Sequence, residues 1–188
     1  MKNVKISLFA LLTAITITSC SDDDNTAAIV NEEEVITTIT ATLTPADGGT
    51  AIVLKSQDLD GDGPNAPVVT VSGNFAAGKV YNGAVTFLNE LQTPADNITA
   101  EVEEEGHEHQ IFFQQSGLGT FTYGDQDVNG RPIGLKFTYA ASQAPVSGNL
   151  TLTLRHEPNK AGEGVSNGNI TNAGGGTDAE VVFPVVVQ

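Results

Sequence analysis

The sequence predicts an all-β protein whose folded part is a single antiparallel β-sandwich, immunoglobulin-like in the broad sense. From Val35 onward, β-branched and apolar residues recur with a period of two, which is typical of strands that bury one face. The candidate strands are short and are separated by Gly, Pro, Asn or Asp. No stretch carries a convincing helical stripe. Of the 188 residues, 39% are hydrophobic, which allows one core of moderate size.

The first predicted strand, residues 35–44, places Ile39, Ala41 and Leu43 on one face and Thr residues between them. The other extended segments are residues 51–55, 68–72, 79–89, 98–104, 110–115, 118–123, 133–139, 150–156 and 180–187. The single Cys and the lack of Trp exclude the inter-sheet disulfide and the core Trp of antibody domains. Burial of Ile, Val, Leu and Phe must therefore stabilise the sandwich.

The N-terminal residues predict export and a lipid anchor. Lys2 and Lys5 precede an apolar run, residues 6–17, which is too short to span a bilayer as a helix and is typical of a signal peptide. Ile-Thr-Ser-Cys at 17–20 resembles the bacterial lipobox, in which the Cys is acylated. We therefore expect a signal peptide over residues 1–19, an anchor in outer-membrane lipid at Cys20, an acidic tether over residues 20–34 and a β-sandwich over residues 35–188.

The acidic residues that follow Cys20 bear on location. Ser-Asp-Asp-Asp at 21–24 resembles the tags that send some lipoproteins of Gram-negative bacteria to the cell surface. The other interpretation is a solvated linker or an outer-membrane sorting preference. Repelling carboxylates and few apolar residues favour an extended tether in either case.

The charge balance excludes one class of partner. Eight Lys plus Arg face 23 Asp plus Glu, which gives a formal net charge of -15. Nucleic acid phosphates would be repelled, whereas cations and basic surfaces would be attracted. The lone Cys also excludes an internal disulfide and a zinc site built from several Cys residues.

The three histidines are the first candidate site. His107 and His109 are two residues apart, so on a strand both would share the face of Ile111, and His156 follows three Leu residues at the same spacing. We expect the three imidazoles to meet at one rim of the sandwich and to bind Zn²⁺ or Cu²⁺. The alternative is a solvated strand end for the His pair and a His156 that only hydrogen-bonds a carboxylate.

Two acidic loops are the second candidate. Asp58, Asp60 and Asp62 match the opening of a calcium loop, and residues 125–130 match it again. Position twelve, which should be Glu, is Val69 in the first loop and Lys136 in the second, so neither is an EF-hand. Ca²⁺ at the first loop is the stronger of the two hypotheses, and an ion-free turn between strands is the alternative.

Catalysis has no positive support in the sequence, and we expect a protein that is not an enzyme. No Ser lies in a Gly-x-Ser-x-Gly elbow, and no carboxylate pair has an apolar neighbourhood that would raise one pKa. Sugar binding on a sheet face by Tyr81, Tyr123 and Tyr139 is a further alternative, which the lack of Trp weakens.

Several segments together resemble a family of uncharacterised surface lipoproteins from Bacteroidota-like bacteria. They are the lipobox and residues 106–113, 129–135, 154–158 and 177–181. Members are often labelled as type 1 periplasmic-binding-fold proteins, which are much longer and alternate strands with helices. The short, strand-only pattern favours the sandwich over that label. The resemblance implies a surface lipoprotein, and His109 and His156 fall within its segments.

The sequence thus predicts a lipid-anchored binding protein, exposed at the cell surface, that captures a divalent metal ion for an outer-membrane receptor. The alternative is a structural or adhesive β-sandwich module with incidental His residues and a loop that Ca²⁺ stiffens.

Overall fold

The computed structural model describes residues 34–61 and 63–188. The predicted signal peptide, Cys20 and nearly all of the predicted tether lie outside the described residues, and so does Asp62. Among the residues that are described, no helix is both long enough and apolar enough to cross a membrane.

The described residues form nine strands, one α-helix and two short 3₁₀ segments. The elements are β1 (Thr38–Pro45), β2 (Ile52–Gln57), β3 (Val68–Val71), β4 (Val80–Leu88), α1 (Ile98–Glu104), β5 (His109–Gln115), β6 (Gly119–Tyr123), β7 (Lys136–Ala141), β8 (Val146–His156), the 3₁₀ segments Val165–Asn167 and Ile170–Asn172, and β9 (Gly176–Val187).

The strands form two antiparallel sheets that pack together, which confirms the predicted all-β sandwich. One sheet has six strands in the order β3-β2-β1-β4-β7-β6, and the other has three in the order β5-β8-β9. The period of two holds in β1, where Ile39, Ala41 and Leu43 are all buried. The inner faces of both sheets contribute to one hydrophobic core.

The prediction of a strand at residues 98–104 was wrong, because these residues form α1. Ile98 and Val102 are four residues apart and are the two buried side chains of the helix. Glu101, Glu103 and Glu104 remain exposed. Two turns of helix carry too few apolar positions for a visible stripe, which is why the sequence pattern missed α1.

The tyrosines do not form a sheet-face platform for sugars. Tyr81 and Tyr139 are 2% and 1% exposed and each packs edge-on against Phe75, with ring centroids 5.0 Å apart. Tyr123 donates a hydrogen bond to the Ile111 carbonyl at 2.7 Å, and burial raises its pKa to about 12. These rings belong to the packing of the sandwich, which removes the sugar-binding alternative as it was drawn.

The segment between β8 and β9 covers the outer face of β5. Phe112 forms a second buried cluster with Val165 and Ala173. Gln110, which is fully buried, donates to the Val165 carbonyl at 2.8 Å. Because β5 is covered on both faces, its first residue, His109, lies deep in the protein.

Candidate metal centre

The register of β5 and β8 brings two histidines together. His109 begins β5, His156 ends β8, and the two residues are direct cross-strand partners. Their ring centroids are 4.6 Å apart with an interplanar angle of 87°. The side chain of His109 is 0% exposed and that of His156 is 6% exposed. The sheet therefore holds two imidazoles at one buried rim.

Two carboxylates complete a group that we call the inner cluster, made of Glu34, His109, His156 and Asp178. His109 Nε2 lies 2.8 Å from Glu34 Oε1 and 3.6 Å from Asp178 Oδ2. His156 Nδ1 lies 3.8 Å from Glu34 Oε2 and 3.6 Å from Asp178 Oδ2. One nitrogen or oxygen from each residue fits within 4.8 Å of all the others.

A β-bulge explains why Asp178 points inward. In β9 the core-facing residues Val181, Phe183 and Val185 have odd numbers, so Asp178 should face outward. The register shifts between Leu154 and Arg155, whose partners are Ala179 and Thr177, so Asp178 is the extra residue. Its side chain is 1% exposed. Bulges commonly re-aim a side chain next to a functional site.

A backbone carbonyl fixes the orientation of His109. Its Nδ1 lies 3.2 Å from the Glu105 carbonyl oxygen, which can only accept, so Nδ1 carries the proton of this hydrogen bond. In the neutral ring, Nε2 then presents its lone pair to the inner cluster. Nε2 makes no well-oriented hydrogen bond to any described residue, despite its short distance to Glu34. Metal-binding histidines are usually held in this way.

His156 has neither ring nitrogen hydrogen-bonded to any described residue, although the side chain is buried. Burying a polar atom without a partner costs about 1–3 kcal/mol. A bound cation on one nitrogen would remove part of that cost. His156 is therefore a candidate metal ligand.

The structure does not bring His107 into the inner cluster, contrary to the expected trio. Residues 105–108 form a turn after α1, so β5 begins only at His109 and His107 does not share its inward face. Half of the His107 side chain is exposed, and its Nε2 lies 3.1 Å from Glu108 Oε1. Sequence analysis did not identify the two carboxylates of the inner cluster, since it placed Glu34 in the tether and did not single out Asp178.

The predicted calcium residues form a hydrogen-bonded turn. Asp58 Oδ1 accepts from the backbone N–H groups of Asp60 and Gly61 at 3.3 and 3.0 Å. Asn65 donates to Asp60 Oδ2 at 2.7 Å, and this hydrogen bond lowers the pKa of Asp60. Within residues 34–61 and 63–188, neither carboxylate joins a metal-capable group. Asp62 lies outside the described residues, so Ca²⁺ at this loop stays a prediction.

The second acidic loop already contains a cation from the chain itself. Lys160 Nζ lies 3.0 Å from Asp127 Oδ2 and also donates to the Gly106 and Pro132 carbonyls. The Lys160 and Asp127 side chains are 3% and 1% exposed, and we call this pair the Lys160 centre. An ammonium group therefore already contacts one carboxylate of this loop, and Ca²⁺ at the loop stays a prediction.

Comparisons of the chain with protein-family models, with curated proteins and with solved structures find no match. The chemistry of the inner cluster is therefore what bears on function.

Proposed function

We propose that this protein is a divalent-metal-binding β-sandwich and that the inner cluster binds Zn²⁺. In the wider role, Cys20 anchors the protein in outer-membrane lipid, and the protein captures the ion at the cell surface for an outer-membrane receptor. One observation carries the metal assignment: two imidazoles and two carboxylates with buried side chains converge within 4.8 Å, and His109 Nε2 and both ring nitrogens of His156 make no hydrogen bond with a described residue.

The spacing of the donors supports a tetrahedral ion. Zn–N bonds of about 2.0–2.1 Å and Zn–O bonds of similar length place the ligand atoms of a tetrahedral site roughly 3.3 Å apart. The four measured separations between His nitrogens and carboxylate oxygens run from 2.8 to 3.8 Å. These four separations lie on either side of that spacing, and donors taken one from each residue all lie within 4.8 Å of one another.

The donor set favours Zn²⁺ over a hard cation. Ca²⁺ takes 6–8 oxygen ligands, whereas imidazole nitrogen suits zinc and copper. Two carboxylates also match the charge of a divalent ion, so ion binding would neutralise a buried acidic pair. Cu²⁺ would compete for the same donors, but it prefers a square-planar or tetragonal arrangement.

The second candidate function is a structural or adhesive module without an ion. The short distance between His109 Nε2 and Glu34 Oε1 favours it, because a protonated imidazole would form an ion pair there. In that case Zn²⁺ would leave the stability of the protein unchanged.

Calorimetric titration of the purified protein with Zn²⁺ tests the proposal. We expect one ion per chain and, at a free Zn²⁺ concentration of 100 times Kd, a gain of about 2.7 kcal/mol in the free energy of unfolding. His109→Ala should abolish both effects. The matched control is His107→Ala, which removes an exposed imidazole outside the inner cluster.

Glu34→Gln is a second test variant, chosen because it should fold normally. Glu34 precedes β1, and the substitution keeps the side-chain volume. We expect it to weaken Zn²⁺ binding while it leaves the sheets intact by circular dichroism. Equal binding by the His107 and His109 variants, or no binding by the unaltered protein, would refute the proposal.

A further inference from the structure

A second group of ligands lies beside the inner cluster. One carboxylate oxygen each from Glu108 and Glu157 and one ring nitrogen of His156 lie within 4.8 Å of one another. We call these three residues the outer cluster. Glu157 is exposed, and the Glu108 side chain is 41% exposed, so this cluster opens to solvent whereas the inner cluster does not.

The backbone holds the two carboxylates side by side. Glu108 is the last residue of the turn before β5, and Glu157 directly follows β8. The Glu157 N–H donates to the Glu108 carbonyl at 2.6 Å, which extends the β5–β8 pairing by one step beyond the histidines. The exposed His107 imidazole lies 3.1 Å from Glu108 Oε1 but does not belong to the outer cluster.

His156 is common to both clusters. Its side chain is 94% buried, and neither ring nitrogen makes a hydrogen bond with a described residue. Nδ1 faces Glu34 and Asp178 at 3.6–3.8 Å, and the ring is also within reach of Glu108 and Glu157. This buried imidazole, which makes no hydrogen bond with a described residue, thus lies between a solvent-exposed carboxylate pair and the inner cluster.

We propose that the outer cluster is a second divalent-cation subsite, through which ions enter and leave the inner cluster. This inference rests on the proposed function. A four-ligand site with side chains only 0–8% exposed exchanges its ion slowly unless a path of intermediate ligands exists. Glu108 and Glu157 would hold a partly hydrated cation, and His156 would pass it inward.

The electrostatics fit an entry subsite. Two adjacent carboxylates at a surface opening concentrate cations locally and raise association rates by about 10- to 1000-fold in favourable clefts. Exposed oxygen ligands also leave room for water on the ion, so the outer subsite should bind weakly and exchange fast. Added salt should screen this attraction.

Stopped-flow loading with Co²⁺ alone tests the route, because the ligand-field absorption of Co²⁺ reports its arrival among the imidazole and carboxylate ligands of the inner cluster. The test variant is Glu108→Gln/Glu157→Gln. The matched control is Glu104→Gln/Glu163→Gln, which removes the same charge from two exposed residues outside both clusters. Circular dichroism of each variant checks the fold.

We expect the test variant to load about tenfold more slowly than the unaltered protein, and the control to stay within about twofold. The equilibrium Kd should rise by less than the loading rate falls, since a subsite used in both directions slows release as well as entry. The salt dependence of the loading rate should also be smaller in the test variant.

Loading of the test variant at the rate of the control would overturn the entry route and leave the proposed function standing. A changed absorption spectrum at saturation would also overturn it, because Glu108 or Glu157 would then be an inner ligand. No Co²⁺ spectrum in the unaltered protein, together with no Zn²⁺ binding, would remove the proposed function itself.

Discussion

Two centres in this molecule contain buried carboxylates, and the groups that face these carboxylates differ between the two centres. In the Lys160 centre, Asp127 receives an ammonium group at 3.0 Å and backbone N–H groups from Asn129 and Arg131 at 2.8 and 2.9 Å. In the inner cluster, the carboxylates face two imidazoles, whose charge depends on a proton or an ion. The chain supplies its own ammonium group at one centre, where burial lowers the pKa of Lys160, whereas at the other centre the carboxylates face only imidazoles among the described residues.

Both centres contact the turn at residues 105–108, between α1 and β5. The Glu105 carbonyl accepts from His109 Nδ1, and the next carbonyl, of Gly106, accepts from Lys160 Nζ. The Lys160 centre therefore holds the turn that orients a predicted metal ligand. If the inner cluster binds an ion, as we propose, this ion pair would keep one of its ligands preorganised and so lower the cost of binding.

The largest expected effect comes from Lys160→Met, which removes the Lys160 ammonium group and leaves the Asp127 carboxylate buried without it. Removing one partner of a buried ion pair costs about 3–5 kcal/mol. We expect a loss of that size in the free energy of unfolding, measured by urea denaturation. Zn²⁺ affinity should also fall, since the turn at Gly106 loses its tie to Lys160.

The control for this variant is Lys160→Met/Asp127→Asn, which removes the stranded charge as well. It should recover part of the lost stability, because a buried neutral amide costs less than a buried carboxylate. If Lys160→Met were no less stable than the unaltered protein, the Lys160 centre would not stabilise the fold as we describe.

The sequence predicted the parts of the molecule that follow the period of two. Alternation placed His109 and His156 on the inward faces of β5 and β8, and cross-strand pairing then brought them together. His107 escaped the pattern because the period of two applies only within a strand, and the strand begins two residues later. An error of two residues in the predicted start of this strand was therefore enough to group His107 wrongly with His109 and His156.

The carboxylate ligands could not be predicted in the same way. Asp178 faces inward only because a bulge breaks the alternation of β9, and a bulge has no signature in the residues around it. Glu34 lies in an acidic run next to Glu32 and Glu33, so composition alone cannot distinguish a ligand from a solvated charge. Lys160 gave no signal either, because its partners are a carboxylate and two carbonyls from distant loops.

We expect the two centres to respond differently to a fall in pH. The effect on Zn²⁺ affinity should be smaller than the effect of losing Lys160. A proton and a metal ion compete for the same imidazole nitrogen, so we expect the Zn²⁺ affinity to fall as the pH is lowered. Calorimetric titrations at a series of pH values measure this. An affinity that stays constant into the acid range would argue against imidazole ligands.

The Lys160 centre should respond only at lower pH. Burial alone would raise the pKa of Asp127, but hydrogen bonds from the Arg131 N–H and from Lys160 lower it below the ordinary value. A lowered folded-state pKa contributes stability that is fully present above the unfolded value, about 4, and is lost as the pH falls through the folded value. The stability difference between the unaltered protein and Asp127→Asn should therefore stay constant down to about pH 5 and shrink below about pH 4.

The smallest effect is expected at the exposed acidic loop, which extends the comparison to carboxylates that face water. Asp58 and Asp60 already accept hydrogen bonds from their own turn and from Asn65, so a cation gains little by displacing these donors. We expect Ca²⁺ to bind this loop with a Kd on the order of 10⁻⁴ to 10⁻³ M, far more weakly than Zn²⁺ binds the inner cluster.

Calorimetric titration with Ca²⁺ of the unaltered protein, of Asp60→Asn and of the exposed control Glu163→Gln measures this binding. Loss of the weak binding in Asp60→Asn alone would assign it to the loop. Binding of Ca²⁺ as tight as that of Zn²⁺ would contradict the expected difference between the exposed loop and the inner cluster. It would mean that the number of carboxylates decides cation affinity in this protein. We expect burial to decide it instead, because water and backbone N–H groups satisfy the exposed carboxylates, whereas buried carboxylates need a positive charge or hydrogen-bond donors inside the protein.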